Sequence, residues 1–230
     1  MTKSKYENVK TPKEAWAIAS RLRKIRRIPE LENIIVKEAN TSYNYALKII
    51  KGRWREAEPI ILEQGTPKTL LYYAKNIIKG RWIDAEPKIL ESDYVYEYAK
   101  EVLKTRWPEG ENALLSKKIE DFDEKFHFWD VDLMRYCKEL VCNRWPEVEK
   151  ILSTNPCALK EYAEEILQDK LPEDLHNIMI AYSIRGDDNR RGRIIQEYFD
   201  FVRKNDATIK KQLINRDLGN VTVKQFVNSL

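Results

Sequence analysis

Apolar and aromatic positions along the chain recur in units of about 26 residues. In five copies a Tyr lies nine residues before a Trp or, in the last of them, a Leu, and an earlier copy has Ile at that second position, which we call the anchor. The anchors are residues 28, 54, 82, 107, 145 and 171, and the tyrosines are residues 45, 73, 98, 136 and 162. A repeat of this length indicates stacked helical hairpins, since one short hairpin cannot bury its apolar face alone.

Capping residues and glycines predict two helices, A and B, in each copy. Thr11-Pro12-Lys13-Glu14 has the pattern of a capping box and begins a helix that we expect to run to about Arg26. Helix A of later copies is expected to begin near Thr41, Thr66, Ser92 and Asn155. Gly52 and Gly80 are expected to take the left-handed conformation that ends helix A.

Prolines in the anchor turns divide the copies into two groups. In one group the proline directly follows the anchor, and in the other it comes five residues later; no copy has both. The first group contains Pro29, Pro108, Pro146 and Pro172, and the second contains Pro59 and Pro87. Because proline is favoured in the first turn of a helix, helix B should begin at different distances from the anchor in the two groups.

These elements predict an all-α fold, an α-solenoid of about six short helical hairpins closed by a helical C-terminal cap. The repeat array covers residues 1–184, with an insertion of about 12 residues at 113–135, where the anchor spacing rises to 38. Residues 185–230 form a basic helical cap or small module. Its first helix should present Ile195, Tyr198, Phe199 and Val202 on one face, and further helices are expected near 207–215 and 221–229.

The charge distribution gives a weak nucleic-acid signal. The net charge is +4, with an excess of five positive charges in residues 1–40, five negative in 41–184 and four positive in 185–230. A dedicated DNA-binding protein is usually more basic. The beginning of the chain lacks the apolar core of a signal peptide, and no run approaches the length needed to span a bilayer, so we expect a soluble cytoplasmic protein that does not enter membranes.

A basic residue precedes every anchor, and acids follow it. The basic positions are Arg27, Arg53, Arg81, Arg106, Arg144 and Lys170, and acids recur two and four residues after the anchor. The structural interpretation is that the Arg side chains pair with these acids while the tyrosines and tryptophans form the core. The functional interpretation is a basic ladder with interleaved aromatics that follows a phosphate backbone or an acidic peptide. The neighbouring acids favour the structural one.

The insertion is acidic and aromatic. A solvated loop whose aromatic side chains enter the core is the simplest interpretation, and a protrusion that binds a partner is the second, because repeat insertions often lie on the binding face. The partner-binding candidates are Phe122, Phe126, Phe128, Trp129 and Asp130. An active site is the third interpretation, and it would use Asp121, Asp123 and Asp130.

Metal and cofactor sites have little support in the sequence. Cys137, Cys142 and Cys157 could join His127 in a zinc site, but no CxxC or HxxxH spacing supports one, so we expect buried structural thiols in a reducing compartment. Only two histidines are present, and phosphate-loop, GxSxG and GxGxxG motifs are missing. We therefore expect no metal, no cofactor and no enzymatic activity.

The copies IIKGRWREAEP and IIKGRWIDAEP resemble a tandem helical repeat with a "YA…IKGRWPEAE" phrase from uncharacterised bacteriophage-type proteins. The resemblance covers about residues 15–180 and departs at Ile28, at Leu171 and at the insertion. It implies a helical array and a phage-encoded accessory or host-targeting factor, which would work in the host cytoplasm. No functional residues transfer with it.

The sequence thus predicts a non-enzymatic interaction protein that binds a protein partner along the array or through the insertion. The alternative is a nucleic-acid-binding protein that uses its basic ends and the repeat arginines. In that case the candidate contacts are Arg185, Arg190, Arg191 and Arg193.

Overall fold

The computed structural model describes residues 6–22, 26–116, 132–185 and 189–205. Within these ranges the fold is all-α, as predicted, with thirteen α-helices and no strand. The chain divides into two compact units, residues 1–114 and 115–230. The solenoid arrangement stays a prediction.

Unit 1 contains α1 to α8, the last of which extends two residues past the boundary. The helices are α1 Pro12–Arg21, α2 Pro29–Ile35, α3 Ala39–Tyr45, α4 Glu58–Gln64, α5 Pro67–Tyr73, α6 Glu86–Leu90, α7 Val95–Tyr98 and α8 Pro108–Ser116. The capping box at the start of α1 is confirmed: Thr11 Oγ1 accepts the Glu14 N–H, and the Glu14 carboxylate accepts the Thr11 N–H. The helix ends earlier than expected, at Arg21.

Unit 2 contains five helices in the described residues: α9 Asp132–Tyr136, α10 Pro146–Leu152, α11 Pro156–Tyr162, α12 Glu173–Arg185 and α13 Asn189–Asn205. The helix predicted after the repeats is confirmed, with Ile195, Tyr198, Phe199 and Val202 buried. It begins at Asn189 and packs against α11 and α12. The helices expected near 207–215 and 221–229 lie outside the described residues.

Helix A of each later copy ends in a five-residue π-helical segment. These segments are Ala46–Ile50, Ala74–Ile78, Ala99–Leu103, Cys137–Val141 and Ala163–Leu167. The residue after each segment has positive φ and closes the helix; Lys79, for example, donates its N–H to the Ala74 carbonyl at 2.7 Å. A π segment widens the helix by one residue per turn and often marks a functional site.

The prediction that glycine ends helix A was wrong. The left-handed residues are Lys51, Lys79 and Lys104 in unit 1, and Cys142 and Gln168 in unit 2. Gly52 and Gly80 each come one residue later, where a Cβ would meet no atom within 4 Å. The sequence signal misled because the π-helical bond, from residue i to i−5, brings the chain reversal to the lysine.

The starting positions of helix B confirm the division of the prolines. Where proline follows the anchor, α2, α8 and α10 begin at the proline itself, and α12 begins one residue after it, at Glu173. Where it comes five residues later, α4 and α6 begin four residues after the anchor, at Glu58 and Glu86. In α6 a short 3₁₀ turn, Ile83–Ala85, fills the gap.

Two of the four capping predictions for helix A are confirmed. Thr66 and Asn155 accept backbone N–H groups at the starts of α5 and α11. Thr41 instead lies within α3 and donates to the Glu38 carbonyl at 3.1 Å. Ser92 lies in a turn that ends before α7, where its hydroxyl accepts the Tyr94 N–H.

Candidate functional site

Four of the repeat tyrosines, Tyr45, Tyr73, Tyr98 and Tyr162, join their helix to the preceding anchor turn through a hydrogen-bond network. Tyr98 Oη accepts the backbone N–H of Trp82 at 2.8 Å and donates to Glu86 Oε1 at 3.3 Å. The Glu86 carboxylate also receives the Nε and Nη2 groups of Arg81, at 2.7 and 2.9 Å. The same set recurs around Tyr45, Tyr73 and Tyr162, with Arg27–Glu32, Arg53–Glu58 and Arg144–Glu149.

The arginines before the anchors therefore hold structural roles, as the first interpretation predicted. Each binds the acid four residues after the anchor, and Arg106 binds Glu111 in this way at 2.7 and 2.8 Å. The anchors Trp54, Trp82, Trp107 and Trp145 are buried, with each ring 5.0–5.7 Å from the tyrosine ring of its own copy. The tyrosines are buried too, so they are not available as a stacking platform for bases.

In the carboxylates of this network, burial and hydrogen bonding shift the pKa in opposite directions. Burial alone would raise the pKa of Glu32, but the hydrogen bonds from Arg27 and Tyr45 outweigh it and lower the pKa. Burial raises the pKa of Tyr73 and that of Tyr98 to about 12. The tyrosines therefore stay neutral and keep the proton that they donate to the carboxylate.

Acids of the following turn complete the charge balance of the arginines. The pKa of Arg81 is raised first by its hydrogen bonds to Glu86 and, more weakly, by the charge of Glu109 in the next turn. In the same way, the charge of Glu56 weakly raises the pKa of Arg27, and the charge of Asp84 weakly raises that of Arg53. Across residues 26–32, 51–58, 79–86 and 104–111, nine Lys and Arg face eight Asp and Glu. A surface so nearly neutral attracts a polyanion weakly.

Tyr198 extends the network past residue 184, where the sequence pattern ends. It accepts the Leu171 N–H at 3.3 Å and contacts His176 Nδ1 at 2.7 Å. While it accepts the backbone N–H, the hydroxyl can also donate its own proton to Nδ1 of a neutral imidazole. Burial, and to a lesser degree the Lys170 charge, lowers the pKa of His176 to about 4. Tyr198 lies 27 residues after its anchor, whereas four of the five repeat tyrosines lie 16–19 residues after theirs, so spacing gave no signal for this pair.

The left-handed lysines of unit 1 are among the polar groups that the network does not use. Lys51, Lys79 and Lys104 are exposed, and among the described residues none of the three has an ion-pair partner. They follow π segments that pack directly against one another in consecutive copies. The three lysine backbone positions therefore recur once per copy, directly before the anchor turns. We call residues 51–56, 79–84 and 104–109 the turn edge.

A cavity of about 390 Å³ opens on the turn edge between two consecutive anchor turns. Arg81 lies on one side, and Thr105, Arg106 and Glu109 on the other; the apolar walls come from Val102, Leu103, Trp107 and Pro108. Ile83, in the turn beside Arg81, is 69% exposed. Arg81 Nη1 has no hydrogen-bond partner in the described part of the chain, because only Nε and Nη2 bind Glu86.

The predicted partner-binding residues, Phe122, Phe126, Phe128, Trp129 and Asp130, lie outside the described residues, as do Asp121, Asp123 and His127. Of the candidate nucleic-acid contacts, Arg185 ends α12, while Arg190 and Arg191 lie in α13; their side chains are likewise outside the description. Arg193 is exposed and pairs with Glu197 at 3.2 Å.

The cysteines differ in environment, and the prediction of buried thiols holds for only one of them. Cys137 is buried and Cys157 half-buried, but Cys142 is exposed at the left-handed position that ends its helix. A search of the described residues finds no group of His, Cys, Asp or Glu that could hold a metal ion. None of the helices described is long and apolar enough to cross a membrane.

Comparisons with protein-family models, with curated proteins and with solved structures return no match to this chain. The resemblance to a bacteriophage-type repeat therefore stays a prediction.

Proposed function

We propose that this chain is a non-enzymatic helical-repeat protein that binds a protein partner, in keeping with a phage-encoded accessory or host-targeting role. The observation that carries the proposal is that the recurring polar side chains of the repeat bind one another and the backbone. In the copies with anchors 28, 54, 82 and 145, the Arg, the Glu four residues after the anchor and the following Tyr are bound to one another or to the backbone. They serve the stacking of the copies, which is the usual role of consensus positions in repeat proteins.

Surfaces rather than pockets with reactive groups are then left for function. The turn edge of unit 1 combines an exposed isoleucine, an open cavity and three lysines without ion-pair partners among the described residues. Aliphatic and aromatic surface beside charged groups is typical of sites that recognise proteins. The turn edge is thus a second candidate surface for the partner, besides the insertion at 113–135.

The competing hypothesis is nucleic-acid binding. The buried tyrosines and the charge-balanced arginines count against the ladder as a phosphate-binding surface. Nucleic-acid binding would then depend on the basic ends of the chain. Such binding would weaken steeply with added salt, because each phosphate contact releases counterions.

A tagged pull-down from bacterial lysate, with and without nuclease and read by mass spectrometry, tests the proposal. We expect one protein at a stoichiometric level that survives nuclease. Recovery of nucleic-acid proteins that disappear after nuclease treatment would overturn the proposal in favour of the competing hypothesis.

A further inference from the structure

The three left-handed residues of unit 1 are all lysine, although the backbone does not require lysine there. A left-handed conformation is strained for any residue with a Cβ, and glycine is the residue that relieves the strain. Unit 2 has Cys142 and Gln168 at the same position, so the conformation accepts other side chains. Lys51 and Lys79 are followed by Gly52 and Gly80, one position too late to relieve the strain. A strained residue is a starting point for a functional hypothesis, and in unit 1 that residue is a lysine in all three copies.

The spacing of the lysines sets the size of what they can bind. The π segments that they follow pack against one another in consecutive copies, and packed helices lie about 8–10 Å apart. An extended peptide advances about 3.3 Å per residue, so three residues cover about 10 Å. Lys51, Lys79 and Lys104 therefore match carboxylates at every third residue of an extended segment.

The acids of the turn edge limit how much negative charge a ligand can carry. Glu56, Asp84 and Glu109 are exposed beside the lysines and lie near the arginines of the preceding turns. A chain charged at every unit, such as a nucleic acid, would bring phosphates against these carboxylates. A peptide with two neutral residues between successive acids places its charges at the lysines and its neutral residues at the acids.

The cavity between the anchor turns at Trp82 and Trp107 suits the neutral residues of such a peptide. Its walls at Val102, Leu103 and Pro108 are apolar, while Arg81 offers an Nη1 group held in a fixed direction by the bidentate bond to Glu86. That group can donate to a peptide carbonyl or carboxylate without leaving its own partner. A short apolar side chain between two acids would therefore be covered.

We propose that the turn edge of unit 1 binds an extended acidic peptide segment of a partner protein, with a carboxylate at every third residue paired to Lys51, Lys79 and Lys104. This proposal rests on the protein-binding function above and names the partner's chemistry. A polyproline II segment fits the pattern, because it has three residues per turn and about 3.1 Å rise per residue.

The probe is a fluorescein-labelled peptide Glu-Pro-Pro-Glu-Pro-Pro-Glu, titrated with the full chain and followed by anisotropy. We expect saturable binding, and binding at least about tenfold weaker when the same three Glu and four Pro are rearranged so that the acids are adjacent. A peptide with Gln in place of Glu should not bind. Equal affinity for the spaced and clustered peptides, or no binding of the spaced one, contradicts the proposal.

The variant is K51G/K79G/K104G, because glycine at a left-handed position removes the ammonium group without removing the fold. We expect its thermal midpoint at or above that of the wild type and its peptide affinity at least about tenfold lower. The control K13Q/K37Q/K68Q loses the same charge at exposed sites off the edge and should bind as the wild type does. A triple glycine variant that binds normally overturns the proposal, and so does tighter binding of a single-stranded oligothymidylate that the same variant loses.

The pull-down separates failure of this inference from failure of the proposed function. If the wild type captures a protein partner and the triple glycine variant captures it equally, the turn edge is not the site, although the protein-binding function stands. If the wild type captures no protein that survives nuclease, the function itself is wrong.

Discussion

Replacing Tyr98 by Phe removes one buried hydroxyl that serves two groups at once. The Trp82 N–H loses its acceptor, and the Glu86 carboxylate loses one of its donors. Both lie in the core of unit 1, where water does not replace the lost partner. The change leaves the ring in place, so the packing of Tyr98 on Trp107 at 5.3 Å should persist.

The cost follows from these two losses. A buried donor without a partner costs about 1–3 kcal/mol, and a hydrogen bond to a charged group contributes about 1.5–3 kcal/mol. Because the two share one hydroxyl, they do not simply add, and we expect a loss of about 2–3 kcal/mol. For a chain of 230 residues this lowers the melting temperature by roughly 5–10 °C.

Urea denaturation of the full chain, followed by circular dichroism and tryptophan fluorescence, measures the loss. The matched control is Y72F, because Tyr72 is partly exposed and its hydroxyl has no hydrogen-bond partner among the described residues. It should change stability by less than about 0.5 kcal/mol. If Y98F and Y72F cost the same, the hydroxyl network does not stabilise the stacking.

A double-mutant cycle with Arg81→Gln tests whether the network acts as a unit. Arg81 and Tyr98 do not bind each other, but both donate to Glu86. Residues that share a partner in this way show interaction energies of about 0.5–3 kcal/mol. Additive single changes would mean that the two donors stabilise the chain independently.

Three further changes address other parts of the chain. Lowering the pH from 7 to 4 should reduce the free energy of unfolding by up to about 3 kcal/mol at His176, because the pKa is 6.5 in the unfolded chain and about 4 in the folded one, so the unfolded chain binds the extra proton. In H176Q this part of the pH dependence of the urea midpoint should vanish, and an unchanged pH dependence would contradict the reasoning. Gly110→Ala should destabilise by about 1–3 kcal/mol, because its Cβ would lie 2.5 Å from the Trp107 ring, whereas Gly52→Ala should not destabilise. Lys79→Gly should raise stability by about 0.5–1 kcal/mol in the same assay, and a loss would refute strain there.

The sequence predicted what depends on local spacing. The tyrosine and anchor positions, the all-α class and the two starting points of helix B follow from periodicity and proline chemistry, and the structure confirms them. For Arg81 the sequence predicted that the side chain pairs with an acid, but not with which one. Which acid it binds depends on the direction in which the first turn of α6 brings Glu86 inward, and spacing alone does not fix that direction.

The positions that the sequence missed depend on backbone detail or on distant contacts. Gly80 is a standard signal for a helix end, but the π-helical turn brings the reversal to Lys79. Tyr198 could be read as an apolar residue of an amphipathic helix, yet its hydroxyl bonds to His176 and Leu171, more than twenty residues away. Contacts of this kind follow from the packing of whole helices.

The pull-down of the wild-type chain with and without nuclease tests the central claim most directly, because the account assigns the recurring polar residues to stacking and leaves the surfaces to a protein partner. It predicts one stoichiometric protein that nuclease does not remove. Capture that depends on nucleic acid and fades with added salt would contradict the account.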